Sequence, residues 1–185
     1  MVIYIVKSSR IAELSKTATY PTDLKFEDLV AQYKERLYWH IRRMVVSHDD
    51  ADDVLQNTFI KVYKNLDSFN GESQIYTWLY RIATNESITF INKRNRRASV
   101  GSEELQSAIV NNLAGDPYFN GDEAQAKLHQ ALDTLPAKQK QVFVMKYFDE
   151  LQYNEISEIL GTSEGALKAS YHHAVKKITN FVTGH

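Results

Sequence analysis

Phe26, Leu29, Val30, Tyr33, Leu37, Ile41 and Val45 mostly recur at steps of three and four, so an apolar stripe runs down a helix over about Asp23–Ser47. Asp49 and Asp50 are placed to cap a second helix, striped by Ala51, Val54, Leu55, Thr58, Phe59, Val62, Tyr63 and Leu66. Asp67-Ser68-Phe69-Asn70-Gly71 reads as a loop. A third helix is predicted from about Ser73 to Asn92, apolar at Ile75, Trp78, Leu79, Ile82, Ala83, Phe90 and Ile91. Three helices of this length can enclose one core. The period is then lost: Ala98–Asn120 is rich in Ser, Asn and Gly, contains Asp116-Pro117, and reads as a linker with at most a weak helical turn at Glu103–Val110. Helical spacing resumes near Asp122, with Leu128, Leu132 and Leu135 on one face. Pro136 is suited to open a further helix through Val142, Phe143, Val144 and Tyr147. The expected fold is all-α: two small helical domains joined by a flexible acidic linker.

The C-terminal unit carries the most informative pattern. Ile156, Ile159 and Leu160 line a short helix from Tyr153, Gly161 can take the positive φ that ends it, and Thr162 or Ser163 can cap the next. That next helix has a narrow apolar face of Leu167, Tyr171, Ala174 and Ile178. Helix, glycine turn and capped helix make a helix-turn-helix, whose second helix enters the major groove of DNA. At about 100° per residue, the opposite face carries Gly165, Ala169, His172, His173 and Lys176, flanked by Lys168 and Ser170. The small Gly165 and Ala169 allow close approach to the groove. Ser170, His172 and His173 can reach base edges, while Lys168, Lys176 and Lys177 meet phosphates. An ordinary helical hairpin remains the alternative. A metal pair at His172-His173 is disfavoured, because adjacent residues diverge and no third ligand is nearby.

Charge adds to this picture. The net charge is −1, but every charged residue between Ala98 and Glu123 is acidic. Lys93, Arg94, Arg96 and Arg97 precede that strap, and Lys168, Lys176 and Lys177 lie beyond it. Two basic clusters imply a polyanion touched at two places, though a solvated linker beside a charged helix end would look the same. The absence of cysteine excludes disulfides, iron–sulfur clusters and the usual structural zinc sites. No apolar run approaches the ~20 residues of a membrane span. Val2–Val6 is too short for a signal-peptide core. A cytoplasmic protein with no membrane insertion and no cofactor is expected. The acidic cluster around His48–Asp53 reads as helix capping and solvated acids ahead of a metal site.

Taken together, these segments resemble the extracytoplasmic-function (ECF) sigma factors of bacterial RNA polymerase. Asp50 to Phe59 (DADDVLQNTF) is similar to the family's polymerase-binding helix. Phe69-Asn70-Gly71-Glu72 through Thr77 to Asn85 (TWLYRIATN) is similar to its promoter-melting stretch. Leu135-Pro136 and Tyr153–Lys177 are similar to its C-terminal domain. The resemblance implies an N-terminal extension at 1–22, region 2 at 23–97, an acidic linker at 98–121 and region 4 at 122–185. It implies an alternative sigma factor, without enzymatic activity, that brings core RNA polymerase to −10 and −35 promoter elements and helps open the DNA. Asp53, Leu55, Gln56, Asn57, Thr58 and Lys61 would then meet core polymerase. Phe69, Tyr76, Asn85, Ser87, Asn92, Lys93, Arg94, Arg96 and Arg97 would meet the opened −10 strand, which needs stacking surfaces and a basic track. Ser163, Gly165, Lys168, Ala169, Ser170, His172, His173, Lys176 and Lys177 would meet the −35 duplex. Trp78 and Phe59 sit on apolar stripes and read as core residues. The family also makes an anti-sigma factor an expected partner.

The chain departs from the family pattern in two places. Thr89 stands where many members have aspartate, and Ser170, His173 and Val175 stand where arginines are common. Bidentate arginine readout of guanine is thus lost at those positions, which implies a different −35 preference. Two other functions remain open on sequence: a free-standing, commonly dimeric regulator using the same helix, and a metal-dependent enzyme acting on nucleic acid through the acidic cluster near Asp49.

Overall fold

The computed structural model describes residues 25–45, 47–98 and 123–184, the side chains at 97, 98 and 123–126 excepted. The expected N-terminal extension and almost all of the acidic linker, with its weak turn at Glu103–Val110, lie outside the described residues. All the regular elements described are helical. In the N-terminal half, α1 is Phe26–Val45, α2 His48–Asn65 and α3 Ile75–Ala98. In the C-terminal half, α4 is Glu123–Asp133, α5 Ala137–Phe143, α6 Tyr153–Leu160 and α7 Glu164–Thr183.

Local chemistry sets the ends of these helices. Glu27 and Asp28 begin α1 and Arg42 and Arg43 end it, each charge matched to the local sign of the helix dipole. The cap of α2 is Ser47, whose Oγ accepts from the Asp50 N–H at 3.1 Å, and not Asp49 or Asp50 as the sequence predicts. A 3-10 turn at Leu66–Ser68 closes α2. Pro136 directly precedes α5, which widens into a π turn at Val144–Phe148. The third helix runs to Ala98, six residues past its predicted end at Asn92.

Helices α1, α2 and α3 pack pairwise around Leu37, Ile41, Met44, Val54, Val62 and Leu79. In the C-terminal half, α7 packs on α4, α5 and α6, burying Ala131, Leu132, Leu135, Phe143, Ala174 and Ile178 as a separate small cluster. The two halves do not keep independent cores. Val142, Val144, Met145, Leu151, Ile156, Ile159 and Leu167 join the cluster that contains Leu37 and Leu79. Contact runs from α1 to the π turn and from α3 to α6. Short helices cannot enclose a large core alone, and here those of the C-terminal half complete theirs against the N-terminal half.

Candidate nucleic-acid interface

In the C-terminal half, α6 ends on Gly161, which adopts φ +60° and donates its N–H to the Ser157 carbonyl at 2.9 Å. An L side chain is strained there whatever the space around it. Glu155 closes the start of α6 by accepting the Gln152 N–H on Oε2 at 2.6 Å. Ser163 occupies the cap position of α7 without a side-chain bond, and Thr162 bonds back to the Leu160 carbonyl at 3.3 Å. Leu167, Ala174 and Ile178 are the buried stripe of α7. Ser163, Gly165, Lys168, Ala169, His172, His173, Lys176 and Lys177 are exposed, and Ser170 is half-buried. A Cβ on Gly165 would meet nothing, so the surface above it is open. Lys168 is tied to Glu164 at 3.2 Å and lies 5.4 Å from the Tyr153 ring centroid, which leaves Lys176 and Lys177 as the less committed cations of this set. Val175 is an exposed apolar residue.

The N-terminal half presents a second surface. On α2, Asp53, Gln56, Asn57 and Lys61 are exposed in a row. Beside them a groove of about 570 Å³ is lined by Phe26, Val30, Leu55, Gln56, Phe59, Ile60 and Tyr63 among others. Phe26 meets Phe59 and Tyr63 edge-on, at centroid distances of 6.1 and 5.2 Å. Three expectations need correction here. Thr58 is fully buried, its hydroxyl bonded to the Val54 carbonyl at 2.8 Å, so it cannot face a partner protein. Phe59 is not simply core but lines the groove. Tyr63, placed on the core stripe, is 67% exposed. Lys61 reaches Glu86 on α3 at 2.5 Å.

Along α3, Asn85, Asn92, Lys93 and Arg96 are exposed, and the side chain of Arg97 lies outside the described residues. Two assignments on this helix are corrected by burial and bonding. Ser87 is fully buried with its hydroxyl on the Ala83 carbonyl at 2.9 Å. Arg94 turns inward, giving its Nη1 to the Val45 carbonyl at 3.1 Å and to Asp50 at 3.5 Å, which ties α3 to the α1–α2 junction. Trp78 is half-buried and packs against Phe69 at 5.1 Å, so the predicted core residue and the predicted strand-binding residue form one aromatic pair. Thr89 is exposed and bonds the Asn85 carbonyl within its own helix. Tyr76 donates its hydroxyl to Glu155 of α6, and Arg81 donates to the Glu158 carbonyl at 2.7 Å. Burial and the Glu155 carboxylate raise the Tyr76 hydroxyl pKa well above its ordinary value.

Sequence reasoning did not find the polar centre between the halves. The His40 Nδ1–H donates to Asp149 Oδ2 at 2.6 Å, and His40 Nε2 lies 3.0 Å from Thr84 Oγ1. The second Asp149 oxygen accepts from Arg43 at 3.3 Å, and that guanidinium lies 4.6 Å over the Phe148 ring. Burial lowers the Arg43 pKa while Asp149 opposes that shift. His40 sits on the buried side of a helix, as a satisfied core histidine can, and nothing in the sequence near it names Asp149 as its partner. Among the described residues no group of His, Asp and Glu side chains is arranged to hold a metal ion. No described helix is long and apolar enough to cross a membrane.

Comparison with known proteins decides the family. Sigma-70 region 2 matches residues 29–97, and Sigma-70 region 4 matches residues 125–178. The ECF RNA polymerase sigma factor SigW of Bacillus subtilis is 34% identical over 155 residues, covering 80% of this chain and 83% of its own. The chain is an ECF sigma factor. The ECF sigma-E factor of Escherichia coli is 30% identical over 165 residues, covering 85% of this chain and 86% of its own. Among solved structures, the sigma factor RpoE of Bartonella quintana, in complex with the anti-sigma factor NepR, superposes with a TM-score of 0.70 at 22% identity. It covers 85% of this sigma factor and 96% of that chain. CnrH, in complex with the cytosolic domain of CnrY, gives a TM-score of 0.62 at 21% identity, covering 86% and 88%. Both share the all-α fold. As an alternative sigma factor, the protein directs RNA polymerase to promoters.

Proposed function

We propose that this sigma factor divides its work between two surfaces. Residues 23–97 bind core polymerase and the opened −10 strand, and residues 122–185 read the −35 duplex. The observation that carries the reading is α7: a capped helix behind a left-handed glycine, buried on one face and open along Gly165, Ala169, His172, His173 and Lys176 on the other. Such a face admits close approach to the major groove, with histidines at base edges and lysines at phosphates. Core polymerase would dock on Asp53, Gln56, Asn57 and Lys61, with Leu55 and Phe59 supplying apolar contact from the groove. The −10 strand would meet Phe69, Tyr76, Asn85 and Asn92 and follow the basic track through Lys93 and Arg96. The protein carries no chemistry of its own and works in the cytoplasm, where its polymerase is. An anti-sigma factor is a further proposed partner, supported by the solved sigma factor RpoE, which was captured with the anti-sigma factor NepR.

Reconstitution with core polymerase followed by run-off transcription from genomic fragments tests this reading. Promoter-specific transcripts that require the chain are expected. Failure to bind core, or tight duplex binding by the chain alone as a dimer, would replace it with the free-standing regulator.

A further inference from the structure

A purine edge is best discriminated by a side chain that bonds it twice: arginine or lysine on guanine, asparagine or glutamine on adenine. Between Ser163 and Thr179 the chain has no arginine, asparagine or glutamine. Lys168 is drawn to Glu164 and to the Tyr153 ring. Lys176 and Lys177 lie roughly 18 Å or more along the axis from the start of α7, whereas base edges are met by the first residues of such a helix. The two-bond contacts that choose guanine or adenine are therefore missing from the part of α7 that meets the bases.

That part of the helix is small and apolar instead. Ala166 and Ala169 are exposed beside Gly165. The fold itself gives no reason for the glycine. Its φ is not positive, and a Cβ added to it would meet nothing in the protein. Glycine also costs a helix stability relative to alanine. The space above Gly165 is thus kept free for something outside the chain.

We propose that the −35 element of this sigma factor contains a thymine whose C5-methyl group packs on the Ala169 methyl, in the space left open above Gly165. The inference rests on the reading of α7 as the −35 helix. In the major groove thymine is marked by an apolar group, and an apolar side chain is its match. Ala169 follows Gly165 by one turn, so the methyl and the open space are neighbours on one face. His172 and His173 stand one turn further on, with ring centroids 6.1 Å apart and planes at 64°. These rings bound the C-terminal side of the seat. An imidazole presents one ring nitrogen at a time to a base edge. The histidines therefore contact neighbouring base pairs by single bonds, and the methyl contact chooses the base at Ala169.

Holoenzyme made from the full chain and core polymerase tests this, first on a promoter library randomised across the −35 element. Wild type should select a T·A pair at one position where Ala169→Gly relaxes the preference. Duplexes carrying thymine, uracil, 5-methylcytosine or cytosine at that position then isolate the methyl group. The methyl should raise wild-type affinity about fourfold in each pair, as one buried methyl group does. Ala169→Gly should bring that ratio down to about one. Gly165→Ala fills the seat while favouring the helix, so it tests the contact even if Ala169→Gly loosens α7. It should weaken binding to the methylated duplexes, spare the other two and leave the thermal midpoint of the free protein no lower. Equal wild-type affinity for thymine and uracil, a G·C preference at that position, or a methyl ratio unchanged in both variants overturns the methyl contact. A library in which neither variant alters any base preference overturns the placement of α7 on the −35 duplex itself.

Discussion

The two candidate DNA-contacting faces of this sigma factor differ in what stands over them. The outer face of α7 is open along its length, with Gly165, Ala169, His172 and Lys176 all exposed. The face of α3 is shared with the other half of the chain at Tyr76 and Arg81. The supporting cores differ in the same sense. Three helices of 18 to 24 residues enclose the N-terminal core, while α5 and α6, of 7 and 8 residues, lean on it.

That contrast can be broken most directly in the shared core. Leu79 is fully buried in the cluster that contains residues of both halves. Leu79→Ala should lose about 2–5 kcal/mol and should destabilise both halves together. The only tryptophans, Trp39 and Trp78, lie in the N-terminal half, so their fluorescence can be compared with circular dichroism during urea unfolding. Coincident transitions support one cooperative unit, and separate ones return the halves to independence.

Smaller effects are expected on the open face. His172→Ala should change which −35 sequences function, by about 1–3 kcal/mol of discrimination if the imidazole makes a full base contact. Lys176→Ala should weaken all promoters alike and flatten the salt dependence by about one unit of slope. Holoenzyme binding to a −35 library at several salt concentrations separates the two, and identical behaviour would sink the division between base and phosphate contacts.

Gly161→Ala meets no steric obstacle, so its cost is the left-handed backbone alone, about 1–2 kcal/mol. It should appear as a lower denaturation midpoint with little change in sequence preference.

The smallest effect is electrostatic. Burial, then Arg42, lowers the His129 pKa, with Lys140 and Arg43 acting in the same direction and Asp133 opposing them. The folded state therefore binds the proton less readily than the unfolded chain. The stability contribution is complete above the ordinary histidine value near ~6.5 and declines as pH falls below it. His129→Gln should make stability measurably less sensitive to acidification between pH 7 and 5.

Much of this was legible in the residues themselves. The stripe of α1, the stripe of α2 from Ala51 to Val62 apart from Phe59, the glycine stop at Gly161 and the outer face of α7 follow from period and turn chemistry, and they lie where the pattern puts them. Thr58 and Ser87 look like available hydroxyls in the sequence, but a serine or threonine inside a helix can bond the carbonyl four residues back and then pack into a core. Arg94 looks like part of a basic track, yet the Val45 carbonyl at the end of α1 lies within its reach. Tyr63 lies on the apolar stripe yet is exposed, because a stripe tells which side is apolar without telling how far the neighbouring helix extends over it.

The sequence by itself determined the helices, the helix-turn-helix and the family, because these depend on residues a few positions apart and on motifs in fixed order. Only the tertiary structure decided that the halves dock, that Asp149 finds His40 at a separation of 109 residues, and that Tyr76 lies under Glu155. Periodicity fixes the face a helix buries. It carries no record of which distant face will meet it, since any apolar surface of suitable shape satisfies the same pattern.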